Sequence, residues 1–318
     1  MSETPLVSII LPTFNRAHLL PRAVNSVLHQ SYANWELLIW NDGSTDNTEA
    51  VLNSYKDIRI HYFADINKGY AHSLNQLILQ TRGKCLAFLD DDDEWMPSKL
   101  EKQISILHRH PDVDLSFANY RNIDFSKKIE NLGFLQNAAG LKKLKCEKSD
   151  DVHIIKEGIL EGIGTDNFIA TDSMIFHRRI LDKLSGFNTH LVNAQDFEFW
   201  WRAGLAGYRF AYTDEILLIR NKYPGSLSTS SVRTLTGTLH TLDACAEASR
   251  RAGREETIQF LRPTYRNLWQ NLITAYGLKG DLPLAFKAFT KANHYGLQLG
   301  SFSTLLGAFY ATVKRKEK

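Results

Sequence analysis

Four short apolar runs, each followed by a polar break and then a helically spaced stretch, set the pattern of the first hundred residues. Leu6-Val7-Ser8-Ile9-Ile10-Leu11 is rich in β-formers and stops at Pro12-Thr13-Phe14-Asn15-Arg16, where proline and asparagine end a strand. Residues 17–30 then carry Leu20, Ala23, Val24, Val27 and Leu28 at helical spacing. A second run, residues 35–40, breaks at Asn41-Asp42-Gly43-Ser44-Thr45-Asp46-Asn47-Thr48. Gly43 permits a sharp turn there, and Ser44, Thr45 or Asp46 can cap the helix that follows. A third run, residues 58–63, leads through Asn67-Lys68-Gly69 to a helix marked by Ala71, Leu74, Leu77 and Ile78. The fourth, residues 84–89, leads to a helix that opens on Met96-Pro97, with proline in its first turn. This alternation predicts an α/β fold with a mostly parallel sheet covered on both faces. Ligands in such sheets bind outside the carboxyl ends of the strands. The loops 12–16, 41–48, 65–69 and 90–95 therefore gather on one edge.

Further along the pattern loosens. Strands are predicted at residues 113–120, 167–176, 208–212 and 216–220, with a short helix over 178–184. Residues 121–164 are polar, with Lys142, Lys143, Lys145 and Lys148 clustered. They read as a solvated insertion, or, since long loops often carry binding, as an acceptor-facing flap. After about residue 230 the periodicity is helical throughout: 232–250, 255–278, 282–292 and 297–313. With 318 residues, too many for one ordinary core, the chain divides into an α/β domain, 1–230, and an all-helical extension, 231–318. The last segment reads as a packed helix with a basic tail, Lys314-Arg315-Lys316-Glu317-Lys318, or as an amphipathic helix lying on a membrane surface.

Composition narrows the function by exclusion. A net charge of +3 predicts no general nucleic-acid surface. Three scattered cysteines, Cys85, Cys146 and Cys245, show neither metal spacing nor a disulfide framework and fit a reducing cytoplasm. No basic leader and no long uninterrupted apolar run is present, so neither a signal peptide nor a membrane span is expected. A phosphate-binding G-x-x-x-x-G-K-[ST] loop and a G-x-G-x-x-G loop are both missing.

The acid run changes the picture most. Asp90-Asp91-Asp92-Asp93-Glu94 stands where the fourth strand ends and a helix begins. Adjacent carboxylates repel unless a cation joins them, and their hard oxygens suit Mg²⁺ or Mn²⁺, which in turn suit diphosphates. The plainer alternative is a solvated acidic helix start favoured by the helix dipole.

Four motifs in order decide between these. Val7-Ser8-Ile9-Ile10-Leu11-Pro12-Thr13-Phe14-Asn15-Arg16, Asn41-Asp42-Gly43-Ser44-Thr45-Asp46-Asn47-Thr48, Asn67-Lys68-Gly69 and Phe88-Leu89-Asp90-Asp91-Asp92-Asp93-Glu94-Trp95 resemble the family 2 glycosyltransferases of the GT-A fold, over residues 5 to about 228. The resemblance implies a GT-A-like mixed, mostly parallel sheet and an inverting transfer from a nucleotide-diphospho-sugar, a UDP-sugar first among them, with Mn²⁺ or Mg²⁺. It implies that Pro12, Thr13, Asn15, Asp42, Lys68 and Gly69 line the nucleotide-sugar pocket with Asp90 and Asp91. Asp90 and Asp92 are the implied metal pair, with Asp92 the direct ligand; the doubled acids blur that register and keep Asp91 and Asp93 as candidates. Where the family often has Arg-Asn, this chain has Leu74-Asn75; Lys68 or Arg82 is expected to replace the lost cation. In Gln195-Asp196-Phe197-Glu198-Phe199-Trp200-Trp201-Arg202 the resemblance maps the acceptor base to Asp196. A plain helix N-cap is the structural alternative. Phe197, Trp200 and Trp201 are expected in the core, with Trp200 also considered for stacking on a sugar. Tyr223 stands near a loop histidine of the family. The implied acceptor is a sugar or lipid-linked glycan of a bacterial surface polysaccharide, and the implied place is the cytoplasm or the inner membrane face, with membrane or self-contact through the C-terminal helices. A sugar nucleotidyltransferase and a catalytically silent scaffold are the rivals.

Overall fold

The computed structural model describes residues 4–125, 128–131, 133–223, 231–295, 304 and 307. The four opening runs form β1 (Val7–Thr13), β2 (Trp35–Asp42), β3 (Ile60–Asp65) and β4 (Cys85–Phe88), parallel and in the order β3-β2-β1-β4. They are joined by α1 (Leu20–Leu28), α2 (Thr48–Asn53) and α3 (Tyr70–Gln80). Every residue of β1 and β2 is buried, as strands covered on both faces must be. Alternation assigns the faces: Ile10, Leu38 and Phe88 pack with Leu74 and Leu77 of α3, while Val7, Ile9, Leu37 and Ile39 pack with Leu20, Val24 and Val27 of α1.

The sheet continues through strands that the sequence only partly discloses. β5 (Glu94–Trp95), α4 (Lys99–Arg109), β6 (Leu115–Asp124), β7 (Ile129–Asn131), β8 (Lys145–Ser149), β9 (Val152–Glu157), α5 (Ile159–Thr165) and β10 (Met174–His177) come next in the chain. They are followed by α6 (Leu181–Leu184), α7 (Gln195–Leu205) and β11 (Phe210–Lys222). The full order is β3-β2-β1-β4-β10-β6-β11-β9-β8, with β5 beside β11 and β7 beside β6. β10 runs antiparallel to both β4 and β6. Its start therefore lies on the same edge as the ends of β1, β2 and β4.

Several expectations are corrected. Residues 121–164 are not a solvated insertion: β8 and β9 pair antiparallel and extend the sheet from β11, and Leu135, Val152, Ile154 and Leu160 are buried. β8 buries none of its residues and so carries no apolar alternation in the sequence. Glu94 and Trp95 belong to a strand, because Trp95 is buried and pairs with Leu218; the helix waits until Lys99. Only the end of 167–176 is a strand, since residues 171–173 form a single 3₁₀ turn. The two late strands are one, β11, kept continuous by irregularities between Thr213 and Leu218.

The helical extension comprises α8 (Val232–Arg251), α9 (Arg262–Lys279) and α10 (Leu282–His294). The expected helix 255–278 is split, because Pro263 sits at the start of α9 and the residues before it form a 3₁₀ turn. Gly280, at φ 80°, ends α9, and the Asp281 carboxylate caps α10 by accepting from the Leu284 N–H. These helices share one apolar core with α5 and α7. Trp201 Nε1 donates to Ser249 Oγ, and Thr264 Oγ1 donates to the Gly164 carbonyl. Among the described residues no helix is long and apolar enough to cross a membrane. The boundary near 230 and the segment 297–313 lie outside the described residues, Thr304 and Gly307 apart.

Candidate active site

The four acids after β4 do not act alike, because they form a turn. The Asp93 N–H donates to the Asp90 carbonyl at 3.2 Å, so successive side chains leave in different directions. Asp90 Oδ1 accepts from the Tyr70 hydroxyl at 2.7 Å. Asp91 Oδ2 accepts from Thr13 Oγ1 at 2.7 Å. Asp92 Oδ2 accepts from the Arg16 guanidinium at 2.8 Å. Asp93 turns inward, where its Oδ1 accepts from the Asn221 N–H at 2.6 Å. A fifth acid joins from the 3₁₀ turn just before β10: Asp172, fully buried, whose carboxylate lies 3.4 Å from Arg220 Nε. Arg220 also faces Asp93 at 3.7 Å.

Five carboxylates thus face two guanidinium groups, Arg16 and Arg220. The excess charge shows in the acids themselves. Burial, then the charges of Asp172 and Asp92, push the Asp90 carboxyl up to about 8. Burial and the Asp92 charge push Asp91 up to about 7. Burial and Asp172 raise Asp93 well above the ordinary range. Among the described residues neither Asp172 oxygen has a hydrogen-bond donor. Oxygens of Asp90, Asp93 and Asp172 lie within 4.8 Å of one another. This all-oxygen, over-negative turn fits a small hard divalent cation.

The raised acids make a prediction. Between pH 5 and 7 the folded chain retains protons on Asp90 and Asp91 that the unfolded chain has released, since free carboxyls titrate near ~4. The stability contributed by those protons is full below the unfolded value and is lost as pH rises through about 7 and 8. Denaturant titrations of metal-free protein are expected to show a steeper loss of stability from pH 5 to 7 in the wild type than in Asp91→Asn. Equal slopes would mean that Asp91 ionises normally.

The neighbouring loops complete one side of the site. Pro12 is buried at the end of β1, opposite Trp40 of β2. Asn15 has a left-handed backbone, φ 52°, and its Oδ1 accepts from the Thr45 N–H while its own N–H donates to Ser44 Oγ. Asp42 is buried, and its two oxygens accept from the Lys68 and Gly69 N–H groups at 2.9 and 2.8 Å. Gly43, φ 74°, is required where this loop meets residue 67, because a Cβ there would stand 2.7 Å from the Asn67 nitrogen. These contacts bring Thr13, Asn15, Asp42, Lys68, Gly69, Asp90, Asp91 and Asp92 to one edge, with Phe14 exposed beside them.

Asp196 approaches from the other side. Asn75 exchanges two hydrogen bonds with Phe187, which fixes the turn before α7. Ala194, φ 52°, occupies the N-cap position of α7, and Asp196 follows within its first turn. Its oxygens accept from the Phe197 N–H at 2.8 Å and from Thr171 Oγ1 at 3.1 Å. Burial raises its carboxyl, against those hydrogen bonds. The Tyr70 phenol feels the charge of both Asp90 and Asp196, so both acids lie near its hydroxyl. Glu198 is turned away into a salt bridge with Arg202 at 2.7 Å. Gln195 donates to the Leu191 carbonyl.

Two expected contributors are displaced. Arg82 precedes β4, on the opposite edge of the sheet, and pairs with Glu36 at 2.7 Å. It cannot replace a cation at the site. Trp200 is fully buried against Phe176 and Phe199 and offers no face to a sugar. Tyr223 accepts from Arg22 and stacks on Phe125, while the loop after it lies outside the described residues. Asp172, Arg220 and Tyr70 escape sequence reasoning. Only the polar residues Thr171, Asp172 and Ser173 at the head of an otherwise apolar strand gave a signal.

The chain is similar to several known proteins in sequence and in fold. An uncharacterized glycosyltransferase of Rickettsia conorii is 31% identical over 223 residues, 69% of this chain and 34% of that protein. UDP-Glc:alpha-D-GlcNAc-diphosphoundecaprenol beta-1,3-glucosyltransferase WfgD of Escherichia coli is 40% identical over 120 residues, 37% of this chain and 47% of that one. The matches span under half the length of these two relatives. S. aureus TarS 1-349 in complex with UDP-GlcNAc has a similar fold, with a TM-score of 0.69 at 15% identity over 98% of this chain and 91% of that one. Mannosyltransferase PcManGT from Pyrobaculum calidifontis, in complex with GDP-Man and Mn²⁺, gives 0.62 at 18% identity over 98% and 81%. The sheet, with helices on its faces and a helical C-terminal region, is that of the GT-A glycosyltransferases. Residues 8–181, more than half of the chain, match the family model Glycosyl transferase family 2, and the protein belongs to that family.

Proposed function

We propose that the chain transfers a sugar, with inversion, from a nucleotide-diphospho-sugar to an acceptor hydroxyl in the assembly of a cell-surface glycan. The observation that carries this reading is that the acidic turn and Asp196 both converge near the Tyr70 hydroxyl. One group of carboxylates serves the leaving diphosphate and a separate one serves the acceptor. The loops at Thr13, Asn15 and Asp42 bound the nucleoside end, where exposed Phe14 offers a face to a base. Asp90 and Asp92 are assigned to a divalent ion, Mn²⁺ or Mg²⁺, because Asp93 and Asp172 are closed from solvent and already face Arg220. When bound, such an ion offsets the charge of the departing diphosphate. Asp196 takes the proton of the attacking hydroxyl, held in place by Thr171 and the Phe197 N–H. A UDP-sugar donor and a lipid-linked acceptor are favoured by WfgD, whose name states both.

The test is a thermal-shift screen of nucleotide-sugars with Mn²⁺, followed by NMR of the product. A UDP-sugar is expected to raise the melting temperature by mass action and to give a product whose anomeric configuration is opposite to the donor's. Retained configuration would overturn inversion. If no nucleotide-sugar stabilises or reacts, the transfer reading fails.

A further inference from the structure

We propose that Arg16 is the residue that grips the diphosphate of the donor, an assignment that rests on the reading of this edge as a nucleotide-sugar site. Arg16 follows the left-handed Asn15, and its side chain reaches from the end of β1 to the turn after β4. The pair it makes with Asp92 stands at the rim, with the two side chains 24% and 16% exposed. Asp91 and Asp90 add their charge to the same guanidinium. The Asp92 contact engages one of its nitrogens, and a guanidinium carries five N–H donors in a planar fork suited to phosphate oxygens.

The other cations considered for this role are committed elsewhere. Lys68 Nζ donates to Asp65 at 2.6 Å. Arg220 is divided between Asp93 and Asp172, at 3.7 and 3.4 Å. Arg22 donates to the Tyr223 hydroxyl and faces Glu94. Arg82 lies on the far edge, and position 74 carries a leucine buried in the core. Among the described residues Arg16 makes the shorter contact with the acidic turn, 2.8 Å to Asp92 against 3.7 Å from Arg220 to Asp93. It leaves Asp92 Oδ1 free of this pair, so one carboxylate can serve a divalent ion and the arginine together.

This placement predicts effects of opposite sign. A guanidinium beside the ion site repels a bare divalent cation and attracts an anionic diphosphate. Calorimetric titrations should therefore use Mn²⁺ alone, and then inorganic pyrophosphate at saturating Mn²⁺, which removes any dependence on the nucleoside. Arg16→Gln is expected to bind pyrophosphate about tenfold more weakly, the scale of one lost charge-assisted contact. Its Mn²⁺ affinity should be equal to or tighter than that of the wild type. If Arg16 only braces the turn, both affinities fall together, and the proposal is overturned. Unchanged pyrophosphate binding overturns it equally. Should Arg16→Gln fail to fold, Arg16→Lys decides. A point charge without the fork lowers pyrophosphate affinity and leaves Mn²⁺ affinity in place, whereas wild-type values for both refute the assignment. A wild-type protein that binds neither ligand would remove the nucleotide-sugar reading and this proposal with it.

Discussion

Asp196→Asn is expected to lower kcat by roughly 100-fold or more, the scale of a general base, with donor affinity nearly unchanged. The amide is nearly isosteric: its oxygen can keep the Phe197 N–H, and its NH2 can donate to Thr171 Oγ1, which accepts instead of donating, but it cannot take a proton. The turn that leads to the helix is held by Asn75 through Phe187, so the substitution spares the scaffold. Burial raises the Asp196 carboxyl. The acid limb of the wild-type rate profile should therefore lie above the ordinary carboxylate range: activity is lost as pH falls through the raised value, because the protonated acid accepts nothing. In the variant that limb should disappear with the rate. Transfer that survives in Asp196→Asn while nucleotide binding is lost would make the residue a donor contact, and the acceptor-side assignment would be wrong.

What the sequence disclosed follows from the range of its signals. β1 to β4 and their helices were legible because strand and helix periods, turn residues and polar breaks all agree within thirty residues at a time. The acids 90–93 were legible as a cluster, but their division of labour was not. It depends on Tyr70, Thr13, Arg16 and Asn221, and no local pattern reports contacts of that sequence separation. Asp172 was hidden because it reaches the site through an antiparallel strand, whose beginning rather than end lies at the edge. The strands within 121–164 were missed for a different reason. β8 shows mostly exposed residues on its outer position, so the apolar alternation survives only in β9. The helical extension was legible as helices, but not as partners of α5 and α7, since packing between Trp201 and Ser249 leaves no periodic trace.

Asp92→Asn should abolish most metal-dependent turnover while the fold survives. Asp92 is partly exposed at the rim, and the partner it has in the fold is another side chain of the site, Arg16. Substituting it therefore removes one anionic oxygen without opening the core. The deeper acids behave differently. Asp93 and Asp172 are buried and both face Arg220, and replacing either one breaks a buried charge cluster, which is costly to the fold. Loss of stability is thus the expected signature of Asp172→Asn, and loss of Mn²⁺ affinity the expected signature of Asp92→Asn. Thermal melts without metal and turnover across a Mn²⁺ titration separate the two. In Asp92→Asn the midpoint should stay close to wild type, and the Mn²⁺ needed for half-maximal rate should rise about tenfold or more, as the loss of one charged contact implies. Full turnover at low Mn²⁺ in this variant would move the ion inward, onto Asp90, Asp93 and Asp172, whose oxygens already lie within 4.8 Å of one another.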